Sequence, residues 1–128
     1  MSSSLRLNLV LIEQSYGIAV ANGSVAIDVA IRALKEVYKW SDGDEVIVPS
    51  FTIISCAQSV IYNGLKPIFI DAEPITWNID VTKIEQAITN KTKAIMAVHI
   101  YGLPCDMNPI IELAKKYDLK IIEDSAKA

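Results

Sequence analysis

Cysteine and histidine are scarce: 128 residues hold two cysteines, Cys56 and Cys105, and one histidine, His99. Neither cysteine belongs to a Cys-x-x-Cys pair, and one imidazole cannot complete a zinc ligand set. Two reduced, mostly buried thiols in a cytoplasmic protein are the expected state. Positive charge is not in excess either. Twelve Lys and Arg against fifteen Asp and Glu, dispersed along the chain, give a net charge of -3, with no basic face for the phosphates of a nucleic acid. Long apolar runs are missing. Arg6 and Asn8 interrupt the first apolar positions and residues 9–12 are too few for a signal core, so no leader and no membrane span is expected. Five glycines and five prolines exclude collagen-like and low-complexity chains. What remains, 52% apolar and 21% charged residues, is the profile of one globular domain or a piece of one.

Strand-length apolar runs alternate with helical stretches, the pattern of an α/β fold with three layers, a mostly parallel sheet flanked by helices. Five strands are expected: residues 17–21, 45–48, 67–70, 93–98 and 120–122. Between them, residues 25–38 place Ile27, Ala30, Ile31, Leu34 and Val37 at helical spacing. Residues 52–62 form an apolar helix that Asn63 and Gly64 would end. Asp80 can cap a helix through Ile88, and Asn108 with Pro109 can open one that runs to Tyr117. Right-handed crossovers would then align the carboxyl ends of all strands along one edge, where a ligand binds.

Several side chains fall on that edge. Asn22, Gly23 and Ser24 lie between a strand and a helix start, where unpaired N–H groups and the helix dipole favour an anion such as a phosphate; the same residues also make an ordinary cap. Walker A and Gly-x-Gly-x-x-Gly patterns are absent, which disfavours a nucleoside triphosphate or dinucleotide bound in the usual way. Asp124 follows the last strand. A carboxylate there can bind a metal, accept from a ribose hydroxyl or pair with a protonated ring nitrogen, and Glu123 is expected to face the other way. His99 and Tyr101, in His-Ile-Tyr-Gly, can contact a ligand, or His99 can anchor the loop 99–106. Tyr62 and Trp77 are expected to be packing residues, and Asp71 a turn former.

With these residues in place, the chain resembles the sugar aminotransferases of the DegT/DnrJ/EryC1/StrS family, pyridoxal-phosphate enzymes of fold type I. The stretches that carry the likeness are VANGSVAIDVAIRAL, GDEVIVPSFTIISCA, PIFIDAEPITWNID, KTKAIMAVHIYGLPCDMNPI and IIEDSAKA, in the family's order from about Tyr16 onward. PSFTIISCA, ITWNID and HIYGLPCDMNPI are most like the GDP-perosamine synthase branch. The resemblance implies pyridoxal 5′-phosphate as cofactor, a nucleotide-linked 4-keto-6-deoxy sugar as substrate, glutamate as amino donor, and homodimers among full-length relatives. It implies that Gly23, Ser24 and Val25 hold the cofactor phosphate, that Asp124 pairs with the pyridine nitrogen, and that Ile53, Ala126 and Lys127 border the ring. His99 and Tyr101 fall toward the substrate.

Ile53 stands where many members have a stacking aromatic, though the perosamine branch tolerates isoleucine. Lys127 replaces the usual Gln, Glu or His near the phenolic oxygen. The family's Schiff-base lysine lies beyond the position of Ala128, so no catalytic residue is assigned within these 128 positions. Residues 1–15 do not match the family, and no helix follows the last strand. The expectation is therefore a divergent segment, 1–15, followed by part of a cofactor-binding domain, 16–128. A non-catalytic remnant, or a module that depends on a partner chain, is the alternative. A receiver-like module with Asp124 and Asp71 on a metal is a weaker one, since it should carry a final covering helix.

Overall fold

Strands buried on both faces have no polar side to show, which is why runs such as Val46-Ile47-Val48 and 94–98 form the centre of the sheet. The computed structural model describes residues 16–126. Four strands, β1 (Glu45–Pro49), β2 (Lys66–Ile70), β3 (Thr92–Val98) and β4 (Lys120–Asp124), lie in the order β2-β1-β3-β4. Every neighbouring pair is parallel. Helix α1 (Gly23–Tyr38) precedes β1, α2 (Ile54–Tyr62) joins β1 to β2, α3 (Val81–Ala87) joins β2 to β3, and α4 (Met107–Tyr117) joins β3 to β4. The expected α/β class, a parallel sheet flanked by helices, is the one observed.

Alternation along the strands sorts their side chains into two cores. Val46, Val48, Ala94, Met96, Val98 and Ile122 pack under α1 and α2, against Ile27, Ile31, Cys56 and Val60. Ile47, Ile95 and Ala97 pack on the opposite face, against Ile84 of α3 and Ile110 and Ala114 of α4. The same alternation sends Asp124, two residues after Ile122, toward the α1/α2 layer, and sends His99 and Glu123 toward the α3/α4 layer. At the far end of the sheet the buried Glu45 carboxylate accepts the Thr89 hydroxyl at 2.5 Å and lies 3.7 Å from Lys66 Nζ, so its charge is paired.

Strand order creates the crevice. The chain moves from β1 outward to β2, then returns past β1 to β3. Segments leaving the carboxyl ends of β1 and β3 therefore enter opposite helical layers, and the gap between them is the topological switch point.

Several boundaries differ from those read off the sequence. Residues 17–21 form no strand, and the sheet of described residues has four strands rather than five. Ile18 is 81% exposed. An apolar run becomes a strand only when a neighbour takes up its N–H and C=O groups, and none of the described strands does. Helix α4 begins at Met107, capped by Asp106, whose carboxylate accepts the Asn108 N–H at 3.3 Å. Asn108 is thus inside the helix, and Pro109 sits in the first turn, where a missing N–H costs no hydrogen bond. Gly64, which closes α2, has φ +73, and a Cβ there would lie 2.6 Å from Asp42 Oδ1, so both backbone and space require glycine. Tyr62 is 76% exposed, so it is no core residue; Trp77, also exposed, leans on Phe51 at 5.3 Å between ring centroids. Each lies where its backbone turns outward: Tyr62 on the outer side of α2, Trp77 at a left-handed φ of 63. The segment 1–15 and Lys127 lie outside the described residues.

Candidate cofactor site

A cavity of about 490 Å³ opens at the switch point, within the size range of small-molecule sites. Four structural pieces wall it. The start of α1 contributes Gly23, Ser24 and Ile27; the segment after β1 contributes Phe51, Thr52, Ile53 and Ser55; the segment after β3 contributes His99, Ile100 and Tyr101; the end of β4 contributes Asp124 and Ala126.

The α1 wall offers a helix start to the cavity. Asn22 is extended at φ -166, and its side chain accepts the Val25 N–H at 3.1 Å, which starts the helix. Val25 is therefore satisfied from within the turn and does not line the cavity. Gly23 and Ser24, the first two helical residues, border it, and no described residue takes their N–H groups. No acidic side chain lies in the first turn to oppose an incoming negative charge. A methyl added at Gly23 would stand 3.9 Å from the Ala126 Cβ, so the helix start abuts the end of β4. Gly23, Ser24 and Asp124 thus face one cavity.

Asp124 is the carboxylate of the opposite wall. Its main chain ends the β3–β4 ladder, pairing with Val98 and accepting the His99 N–H at 3.1 Å. Oδ1 accepts the Ala126 N–H at 3.1 Å, and Oδ2 faces Cys56 Sγ at 3.6 Å. Ile53, 56% exposed, caps α2 without a side-chain hydrogen bond, leaving an apolar surface on the cavity.

His99 is buried, and both its ring nitrogens have protein partners. Nδ1 accepts the Cys105 N–H at 3.1 Å, which leaves the proton on Nε2, and that nitrogen donates to Glu123 Oε1 at 2.9 Å. The imidazole therefore ties the loop 99–105 to β4. Asn78 does the same from the other side: its amide donates to the carbonyls of Leu103 and Pro104 and accepts the Ile100 N–H. Tyr101 rides at the tip of that loop with φ 50, 78% exposed, beside Gly102 at φ 84. Asp71 lies off the cavity, 3.7 Å from Lys83 Nζ, and its carbonyl accepts the Asp80 N–H.

Phe51, Thr52, Ser55 and Cys56 are absent from the residues picked out of the sequence. The available signal was the Thr52 to Cys56 spacing of one helical turn directly after a strand that ends at the ligand edge. Burial pushes the Cys56 thiol up from an ordinary value of 9.0 to about 11, with the Thr52 hydroxyl working against that rise and Asp124 adding to it. A folded-state value above the unfolded one adds stability that is complete below pH 9 and disappears as pH rises toward 11. The stability of wild type relative to Cys56→Val should accordingly fall across that interval in urea titrations. A difference that stays flat with pH would refute this linkage.

The model of the DegT/DnrJ/EryC1/StrS aminotransferase family matches residues 10–128. The chain belongs to that family. GDP-perosamine synthase of Escherichia coli O157:H7 is 52% identical over 113 residues, 88% of this chain and 30% of that protein. An aminotransferase from Psychrobacter cryohalolentis superposes with a TM-score of 0.89 at 41% identity, covering 96% of this chain and 30% of the other. NtdA from Bacillus subtilis, solved with bound PMP, gives a TM-score of 0.87 at 38% identity over 94% of this chain and 27% of that one. The chain thus spans about 30% of the length of the relatives it matches. No described helix of the chain is long and apolar enough to cross a membrane.

Proposed function

We propose that residues 16–128 form part of the cofactor-binding domain of a pyridoxal-phosphate-dependent aminotransferase that acts in the cytoplasm on a nucleotide-linked 4-keto-6-deoxy sugar, with glutamate as amino donor. The observation that carries the reading is the shared cavity: on one wall, amides at the start of α1 that no described residue takes; on the other, a fixed carboxylate; and apolar surface between. An anion-and-pyridine ligand needs those three surfaces together. The GDP-perosamine synthase likeness favours a GDP-linked sugar.

Pyridoxal phosphate, when bound, supplies a protonated pyridine ring that withdraws electrons from the C–H bond beside the amine being transferred. The chain's own residues hold and tune it. Gly23 and Ser24 present N–H groups, and Ser24 a hydroxyl, to the phosphate, with Val25 closing the turn behind them. Asp124 would keep a proton on the ring nitrogen by offering it a negative charge. Ile53 would shield the bound ring from water and Ala126 would border it, as both line the cavity; by the family resemblance, Lys127 would favour a negative phenolic oxygen. His99 holds the loop that presents Tyr101 to the sugar. Homodimer formation, as among family members, would complete the pocket.

Titration with pyridoxamine 5′-phosphate and with pyridoxamine tests the phosphate assignment. The helix start should make the phosphate form bind about 10- to 100-fold more tightly, the scale of charge-assisted hydrogen bonds. Equal affinity for the two would rule out an anion site at Gly23 and Ser24.

A further inference from the structure

Cys56 belongs by burial to the apolar core, with none of its surface exposed, yet its sulfur ends on a charged group of the cavity wall. Sγ lies 3.4 Å from the Thr52 hydroxyl on one side and 3.6 Å from Asp124 Oδ2 on the other. Sulfur's larger radius makes both separations hydrogen-bonding ones. A carboxylate can only accept, so the S–H donates to Asp124, and the thiol's remaining capacity is to accept from Thr52. The order is therefore Thr52 O–H to Cys56 S–H to Asp124 Oδ2. With the Ala126 N–H on Oδ1, each oxygen of the carboxylate has one fixed donor.

We infer that Cys56 is a positioning residue for Asp124, its thiol holding Oδ2 in the orientation that meets the pyridine nitrogen of the bound cofactor. The choice of donor matters. A thiol is a weak hydrogen-bond donor, so it restrains the carboxylate while withdrawing little of the negative charge that the ring nitrogen needs. A backbone or hydroxyl donor would restrain equally and neutralise more. Burial keeps this thiol protonated through the physiological range, so the donor is not lost to ionisation. The role rests on the pyridoxal-phosphate reading for its purpose, although the contact itself does not.

Two measurements separate contact from purpose. In a Cys105→Ala background Cys56 is the only thiol, and its S–H stretch can be followed by infrared spectroscopy. The band should lie at the low frequency of a hydrogen-bonded thiol and move upward in Asp124→Ala. A band that ignores Asp124→Ala overturns the inference. Pyridoxamine 5′-phosphate affinity is the second readout. Cys56→Val, which fills the space without a donor, should weaken binding about fivefold, the scale of one net hydrogen bond. Cys56→Ser, which restrains the carboxylate but neutralises more of its charge, should restore part of the loss, and in an Asp124→Ala background Cys56→Val should change nothing. Binding that Cys56→Val leaves intact, or an equal loss with and without Asp124, reduces Cys56 to core packing and overturns the positioning role. An infrared band that responds to Asp124 in a protein with no affinity for pyridoxamine 5′-phosphate would instead overturn the cofactor reading, and the positioning purpose with it, while the contact stood.

Discussion

Replacing Asp124 with alanine is expected to weaken pyridoxamine 5′-phosphate binding by about 10- to 100-fold, the range set by losing a hydrogen bond to a charged group in a partly enclosed site. The carboxylate is half-buried, held by one donor on each oxygen, and no other acid lines the cavity among the described residues. Nothing nearby can take its place. Asp124→Asn keeps the shape and removes the charge, so it should lose nearly as much; that outcome would show that charge, rather than hydrogen-bond geometry, holds the ring nitrogen. Fluorescence or calorimetric titration reads both variants. An Asp124→Ala protein that binds as tightly as wild type would remove Asp124 from the site. The fold should tolerate the change, because Asp124 joins the sheet through its backbone.

The second large effect lies in the core. Ile95→Ala should destabilise the chain by about 2–5 kcal/mol, from lost transfer energy and from the void left behind. Ile95 is fully buried on β3, which is paired on both sides, and it belongs to the cluster under α3 and α4. Both flanking strands and both helices on that face restrict how far neighbours can move into the gap. Tyr62→Ala, by contrast, should lie within about 0.5 kcal/mol of wild type, as an exposed position with no special backbone role does. Urea midpoints at constant m-value check the pair. An Ile95→Ala midpoint no lower than that of Tyr62→Ala would mean that the strand assignment of β3, or its burial, is wrong.

Legibility in the sequence followed a physical rule. Elements whose signal is local and strong were readable: the apolar runs of β1 and β3, the 3.6-residue spacing in α1, and the Asp80 cap, whose side chain accepts the Thr82 N–H as expected. The opposite facing of Glu123 and Asp124 followed from strand alternation alone, and Glu123 indeed turns to His99 while Asp124 turns to Cys56. Where two residues could serve the same local purpose, the sequence did not choose. Asp106 and Asn108 are both good caps, and burial of Ile110 and Ala114 against the sheet goes with the earlier start. Residues 17–21 have the composition of a strand and no partner among the described strands. Tyr62 and Trp77 have the chemistry of core residues and the positions of surface ones.

The candidate site divides in the same way. Gly23 and Ser24 stood out as a helix start and Asp124 as a strand end, and both border the cavity although the strand expected before Gly23 does not form. The bond from His99 to Glu123 and the contact of Cys56 with Asp124 were not legible, since each joins groups on different elements of the fold; the Asn22 cap on the Val25 N–H is local, and the sequence left it open beside the anion reading. Cys56 and Asp124 are 68 positions apart, and no periodicity links them.

By itself, the sequence determined the fold class and the edge of the sheet on which chemistry can occur, because hydrophobic period and turn residues act over a few neighbours and survive in any arrangement; the family came from the resemblance of its sequence blocks. Only the tertiary structure decided the strand count, the order β2-β1-β3-β4 that opens the crevice, and which donors hold the Asp124 carboxylate. Those are outcomes of pairing and packing between distant segments, where hydrogen bonds and buried surface are shared rather than owned by any one stretch of chain.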